Sequence, residues 1–377
     1  MSYIHKNITA CLITLLLLSC ETNRKQFTPP DFKKNESLKY EVLQDTLIIS
    51  YPYDMVSFDN YIVIFALMEG KWLQVYDKQT GEHLGGYVGR GQGPGEIIAA
   101  TYLFYNSKER ILTIFENNTQ ENYTYKINEN LDELIKFESK KNFSRGRENR
   151  VQNIFKIDDN HYLLDSRNFV NHNNTQRFSL ETEVGDKISE YNDFATSSKL
   201  KDGFWAYCMQ QSISISPNKQ KMACVTFYGG VLETFEIDNS INLIQEKLFY
   251  PIFMNGQKYT EKTVFGFVDI CTSDEYIYTV LIGNKDLTTH NNISVFDWNG
   301  EPVVRYATDV NILRICYNEN DNSIYAIAID DEFYLIKFGE LQDGEPQKNQ
   351  ISLPDAFKNE IHQTEGNYKR YDAIMVQ

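Results

Sequence analysis

Four glycines and one proline fall within the seven residues Gly89 to Gly95 of the stretch GRGQGPGEI, which ends at Ile97. That density invites a phosphate-binding reading. A phosphate loop needs a lysine and then serine or threonine after its last glycine, so that an ammonium and a hydroxyl reach the phosphates and their metal. Here Gly95 is followed by Glu96, whose carboxylate repels phosphate. The dinucleotide fingerprint needs a different glycine spacing and a following helix, and the residues after Ile97 are strand-like. The stretch is therefore expected to be a structural loop built from Gly89, Arg90, Gly91, Gly93, Pro94, Gly95 and Glu96, since glycine tolerates positive φ and proline fixes its own. Arg90 and Glu96 are expected either to pair across it or to cap its exposed amides.

Other chemistry-bearing residues are scattered. The histidines, His5, His83, His161, His172, His290 and His362, never take the spacing of a helical zinc site. The acidic pairs Asp158 with Asp159 and Asp330 with Asp331 lie in short turns without a calcium-loop pattern and read as solvated carboxylates. No catalytic residue, metal set or cofactor is expected. Two features suit binding. Lys140, Lys141, Arg145, Arg147 and Arg150 cluster in an otherwise acidic chain, either as a basic rim for an anionic ligand or acidic partner or as a solvated loop that balances net charge. Trp205 and Tyr207 of GFWAYCM, with Tyr259 and Phe265 further on, supply aromatic groups on long connections that would either stack a sugar or anchor a partner, or plug the channel and pack under their own loop.

The elements that would carry these residues recur. Each unit opens with a short apolar segment, turns, continues in a strongly apolar strand, turns again and gives an alternating strand. MVSFDN, YIVIF and LQVYDKQTGE form the first such unit, and ILRICYNENDN, SIYAIAI and FYLIKFGE the sixth. The middle strands are marked by Ile62, Leu112, Leu163, Met222, Ile277 and Ile324, at intervals of roughly 50 to 60 residues, the range of propeller blades with long loops. A fourth strand is visible in HLGGYVG after the first unit and PVVRY after the fifth. The fold class expected is all-β, a six-bladed β-propeller. Either Thr46 to Ser50 or Gln350 to Leu353 would close the ring as an outer strand. In a ring, the glycine loop and the basic connection occupy equivalent positions and would meet near one channel mouth.

At the N-terminus, His5 and Lys6 precede an apolar run from Ile8 to Leu18 that is too short to span a bilayer and suits a signal-peptide core. It ends LLSC, which resembles the lipobox of bacterial lipoproteins, and Cys20 would then carry the lipid. The domain organisation expected is a signal peptide over 1–19, a lipid-anchored tether over 20–39 and one propeller over 40–377. The lipobox, six units and the loop GRGQGPGEI together resemble the TolB-like six-bladed β-propeller lipoproteins of Gram-negative bacteria. Val75 through Phe115 resembles the NHL-type repeat of six-bladed propellers. That resemblance implies a cell-envelope location, in the inner or outer membrane, and the propeller fold.

The formal net charge of −15 argues against binding nucleic acid along its phosphates. Cys208, Cys224, Cys271 and Cys316 lack metal-site spacing, and most lie in apolar strands as buried thiols would. Two functions remain. One is a monomeric, non-catalytic module that binds a protein or glycan ligand and is held to the membrane through its lipid. The other is a metal-dependent hydrolase or lyase with its site at the central channel mouth. Three or more carboxylates, amides or histidines converging on the axis would favour the enzyme; apolar and hydroxyl groups there would favour binding.

Overall fold

The computed structural model describes residues 27–100, 102–143, 150–167, 177–193, 211–255 and 258–339. Among them, the only helical turn is Leu131–Glu133. Six sheets of antiparallel strands follow one another in chain order, each adding strands outward from the centre. The innermost strands are Asp54–Phe58, Leu103–Asn106, Arg150–Lys156, Gln211–Ile215, Phe267–Thr272 and Asn311–Asn318. They define blades one to six of a β-propeller.

The second strand of each blade is packed between neighbouring blades on both faces, which is why it reads as an uninterrupted apolar run. The six marker residues Ile62, Leu112, Leu163, Met222, Ile277 and Ile324 are all fully buried. Each such side chain contributes about 1.5–3 kcal/mol relative to exposure. Between blades one and two, Phe65, Leu73 and Val75 pack with Leu112, Ile114 and Tyr125, and between five and six Val280 and Val295 pack with Ile324 and Ile336.

Ring closure differs from the sequence expectation. The outer strand of blade six is Tyr40–Gln44, antiparallel to Phe333–Phe338. Thr46 to Ser50 is not a strand; Leu47 is buried beside blade six, and its amide bonds to the Phe333 carbonyl at 2.7 Å. Gln350 to Leu353 lies outside the described residues. The expected tether is also partly built into the fold. Lys34–Ser37 adds a parallel fifth strand to blade five beside Pro302–Ala307, while Phe32 and Leu38 are buried. Two isolated apolar residues in a polar stretch were the anchors.

Fourth strands appear in every blade, His83–Gly89 and Pro302–Ala307 among them. Between blades four and five the chain makes a detour that carries the short hairpin Met254–Asn255 with Lys258–Tyr259.

Candidate functional site

The six innermost strands surround a cavity of about 810 Å³. Strand alternation sends every second side chain toward it. At the end where these strands begin, it is lined by Asp54, Tyr102, Asn153, Gln211, Asp269 and Arg314, one residue from each blade. Further along come Ser212, Ser214, Val56, Phe104 and Thr272, and the far mouth carries Lys108, Lys219 and Glu319.

The two aspartates perform the same task in different blades. Asp54 Oδ2 accepts the Leu103 amide of blade two at 3.0 Å, and its Oδ1 accepts the adjacent Met55 amide at 2.8 Å. Asp269 Oδ2 accepts the Ile315 amide of blade six at 2.8 Å. Each carboxylate thus clamps the next innermost strand. Burial, with a smaller contribution from the Asp269 charge, pushes Asp54 up to about 7; burial pushes Asp269 up to about 6, against the opposing pull of Arg314. Burial, then the two aspartates, holds the Tyr102 hydroxyl well above its ordinary range.

Arg314 closes the ring between blades six and one. Its Nε donates to the Tyr53 carbonyl at 2.8 Å, Nη1 to the Leu313 carbonyl at 2.8 Å and Nη2 to the Tyr51 hydroxyl at 3.3 Å. The guanidinium also lies 5.5 Å from the Tyr51 ring centroid. At the other mouth the blades are joined by Asp59 to Arg110 at 2.8 Å, Glu109 to Lys156 at 2.5 Å, the Asn218 amide to Asp274 at 3.0 Å and Asn318 to Ser57 at 2.7 Å. The Asp59–Arg110 pair is solvated and contributes at most about 1 kcal/mol, whereas Glu109–Lys156 is partly buried.

Away from the channel, the glycine loop is a pin between blades one and two. The Glu96 carboxylate accepts the Gly93 amide at 2.9 Å, so of the two expected arrangements the loop uses amide capping. A Cβ on Gly91 would overlap that carboxylate, and Gly95, at φ +70°, would place one 2.6 Å from Phe137 of blade two. Trp72 donates to the Ile97 carbonyl at 2.9 Å and Tyr125 to the Gly95 carbonyl at 3.1 Å. Arg90 lies 6.0 Å from the Trp72 ring centroid and its amide bonds to Gly70. Replacing Glu96 with alanine is expected to cost about 1 kcal/mol, the net worth of one such hydrogen bond. Hydrogen exchange should show the Gly93 amide losing protection in the same variant.

The described residues of the loops expected to gather at one mouth lie away from the cavity. Arg90 lies outside the cavity lining, and so does Arg150, whose guanidinium binds the Asn117 carbonyl of blade two. Cys20, Arg145, Arg147, Trp205 and Tyr207 lie outside the described residues; Tyr259 is described only by its backbone pairing with Met254. Sequence reasoning passed over Asp54, Asp269 and Arg314. The available signal was a lone charged residue inside each of the short apolar segments DMVSF, FVDICT and ILRICYN.

Cys224, Cys271 and Cys316 are free and buried; Cys208 lies outside the described residues. Among the described residues no three histidine, cysteine or carboxylate groups are placed to hold a metal ion.

Six blades around a polar-lined channel define a six-bladed β-propeller. The chain belongs to the TolB-like 6-blade propeller-like family, whose model matches residues 31–320. Its fold is similar to that of a Bacteroides fragilis NCTC 9343 protein classed by name as exported, at 13% identity and TM-score 0.52 over 81% of this chain and 98% of that one. A member of the duf4221 family from Bacteroides vulgatus ATCC 8482 is similar at 12% identity and TM-score 0.52, over 81% and 98%. A gluconolactonase from Xanthomonas campestris matches at 10% identity and TM-score 0.48, over 83% and 97%. No curated protein matches the chain.

Proposed function

We propose that the protein is a cell-envelope module, anchored through a lipid on Cys20, whose propeller binds a glycan or a protein segment in its central channel without transforming it. The observation that carries this reading is the use of the channel's charged groups. Asp54 and Asp269 accept backbone amides of neighbouring blades, and Arg314 donates to two carbonyls and a tyrosine hydroxyl. Away from the charged far mouth of Lys108, Lys219 and Glu319, the remaining lining groups are hydroxyls, amides and aromatic rings, from Ser212, Ser214, Gln152, Asn153, Tyr102 and Phe104 among others. Such a lining recognises a polar, uncharged ligand through hydrogen bonds and stacking. The apolar run ending LLSC and the family assignment support the envelope location.

The test is crosslinking of the lipidated protein in its own envelope, comparing wild type with Ser212→Trp, which fills the lumen. Loss of the captured ligand in the plugged variant is expected. An unchanged captured set would place recognition on the outer surface instead.

A hydrolase or lyase is the second reading, and one observation favours it: two lumen-facing carboxylates held at about 7 and about 6, in the range where general acids and bases operate. Turnover of lactones or glycosides that vanishes in both Asp54→Asn and Asp269→Asn would establish it over simple binding.

A further inference from the structure

We infer that the protein docks on the bilayer through its rim at blades four and five, with blade two turned away from the lipid. This rests on the reading of Cys20 as the lipid-bearing residue and adds to it a defined membrane-facing surface.

The chain meets the propeller at a fixed place. The Thr28 amide donates to the Leu248 carbonyl at the end of the outer strand of blade four, at 2.9 Å. Phe32 meets Phe296 of blade five edge-on, with ring centroids 5.2 Å apart, and is buried in one cluster with Phe249 and Phe267. Lys34–Ser37 then runs along the edge of blade five. The stretch from Cys20 to Phe27 can span at most about 25 Å even when fully extended. A compact domain of this size is about 50 Å across. Lipid at Cys20 therefore holds the junction of blades four and five in the membrane-proximal half of the molecule.

The surface chemistry favours the same edge. Leu243 and Ile244, on the outer strand of blade four, and Phe253, in the detour that follows, are 37%, 38% and 42% exposed. Phe253 has a fixed backbone, its amide donating to Thr263 Oγ1 at 3.0 Å. The sequence entering this junction, residues 21–39, carries Arg24, Lys25, Lys33, Lys34 and Lys39 against Glu21, Asp31 and Glu36, with Lys33 paired to Asp31, a local positive excess in a chain of net charge −15. Apolar side chains enter the headgroup boundary and basic ones are drawn to anionic lipid. The turn that leads into the outer strand of blade two presents the opposite chemistry, while the lysines of that strand are engaged, Lys136 with Glu133 and Lys140 with Glu121. Its exposed Leu131 is flanked by Glu129, Asp132 and Glu133, which an anionic surface repels.

The experiment places p-benzoylphenylalanine at Phe253, Leu243 or Leu131 in the full lipidated chain. Each protein is incorporated in phosphatidylethanolamine and phosphatidylglycerol vesicles containing radiolabelled phospholipid, then irradiated. Lipid adducts at positions 253 and 243 at least ten-fold above those at 131 are expected. Equal yields at the three positions would overturn the docking surface while leaving the anchor intact. If the lipidated wild type fails to float with vesicles, or Cys20→Ala floats equally well, the anchor reading fails and takes the docking surface with it.

Discussion

Substituting Glu233 with glutamine should destabilise the propeller by about 3–5 kcal/mol, because it strands a buried guanidinium. Arg177 of blade three and Glu233 of blade four both have fully buried side chains. Arg177 Nη1 donates to Glu233 Oε1 at 2.9 Å and Nη2 to Glu233 Oε2, a bidentate pair. Nη1 also donates to the Asp193 carbonyl at 3.0 Å, and the guanidinium lies 4.5 Å from the Phe178 ring centroid. Burial works against the arginine charge, but the Glu233 carboxylate outweighs it and the guanidinium pKa is raised. Replacing the carboxylate removes the largest interaction that offsets this desolvation and leaves weaker ones, the Asp193 carbonyl and Gln211 among them. The matched double change, Arg177→Met with Glu233→Leu, should recover most of the loss, since an apolar pair of similar volume carries no charge to desolvate. Urea unfolding reads both, with the single variant's midpoint falling by about 1 M. A midpoint within experimental error of wild type for Glu233→Gln would show that the pair is not the joint between these blades.

The second large effect is on pH. The ordinary aspartate value is 3.8, and in the fold Asp54 stands at about 7 and Asp269 at about 6. Between pH 4 and 7 the native protein therefore keeps protons that the unfolded chain has released. Linkage then makes stability fall as pH rises through that window and level off above it. His83 and His290, both lowered by burial, pull the other way up to their unfolded value of about 6.5. A comparison with Asp54→Asn separates the contributions. Asparagine keeps one acceptor and loses the other, so at pH 5 the variant should be less stable than wild type by about 1–2 kcal/mol. By pH 8, where wild type must hold a buried charge, the difference should shrink by about 2 kcal/mol and can reverse, after allowing for partial solvation by the channel. Parallel stability profiles from pH 5 to 8 would contradict the raised value for Asp54.

The repeat was legible because its cause is local. A strand covered on both faces has to be apolar throughout, and the six markers from Ile62 to Ile324 are all fully buried. The glycine loop was legible as a turn for the same reason: its glycines answer to Glu96 and Phe137, both close in sequence or in the adjacent blade. Closure was not legible. Tyr40–Gln44 has only modest alternation of its own, and its partner is the last described strand of the chain. Arg177 and Glu233 were invisible too, since Glu233 sits in a strand and Arg177 just before one, where polar residues ordinarily face water, and nothing local says that the two meet. The channel aspartates left a trace in the apolar segments, but their clamp function depends on which amide the next blade presents.

Tyr40 pairs with Phe338, and Lys34–Ser37 lies against Pro302–Ala307. Synthesis delivers these partners at opposite ends of its timetable. The first strands made must wait, without their ladder bonds, until almost the whole propeller has emerged. Contacts so distant along the chain raise contact order and slow folding, and an open strand edge invites association with another chain in the interval. The step that closes the ring is thus also the step that ends the protein's exposure to misassembly.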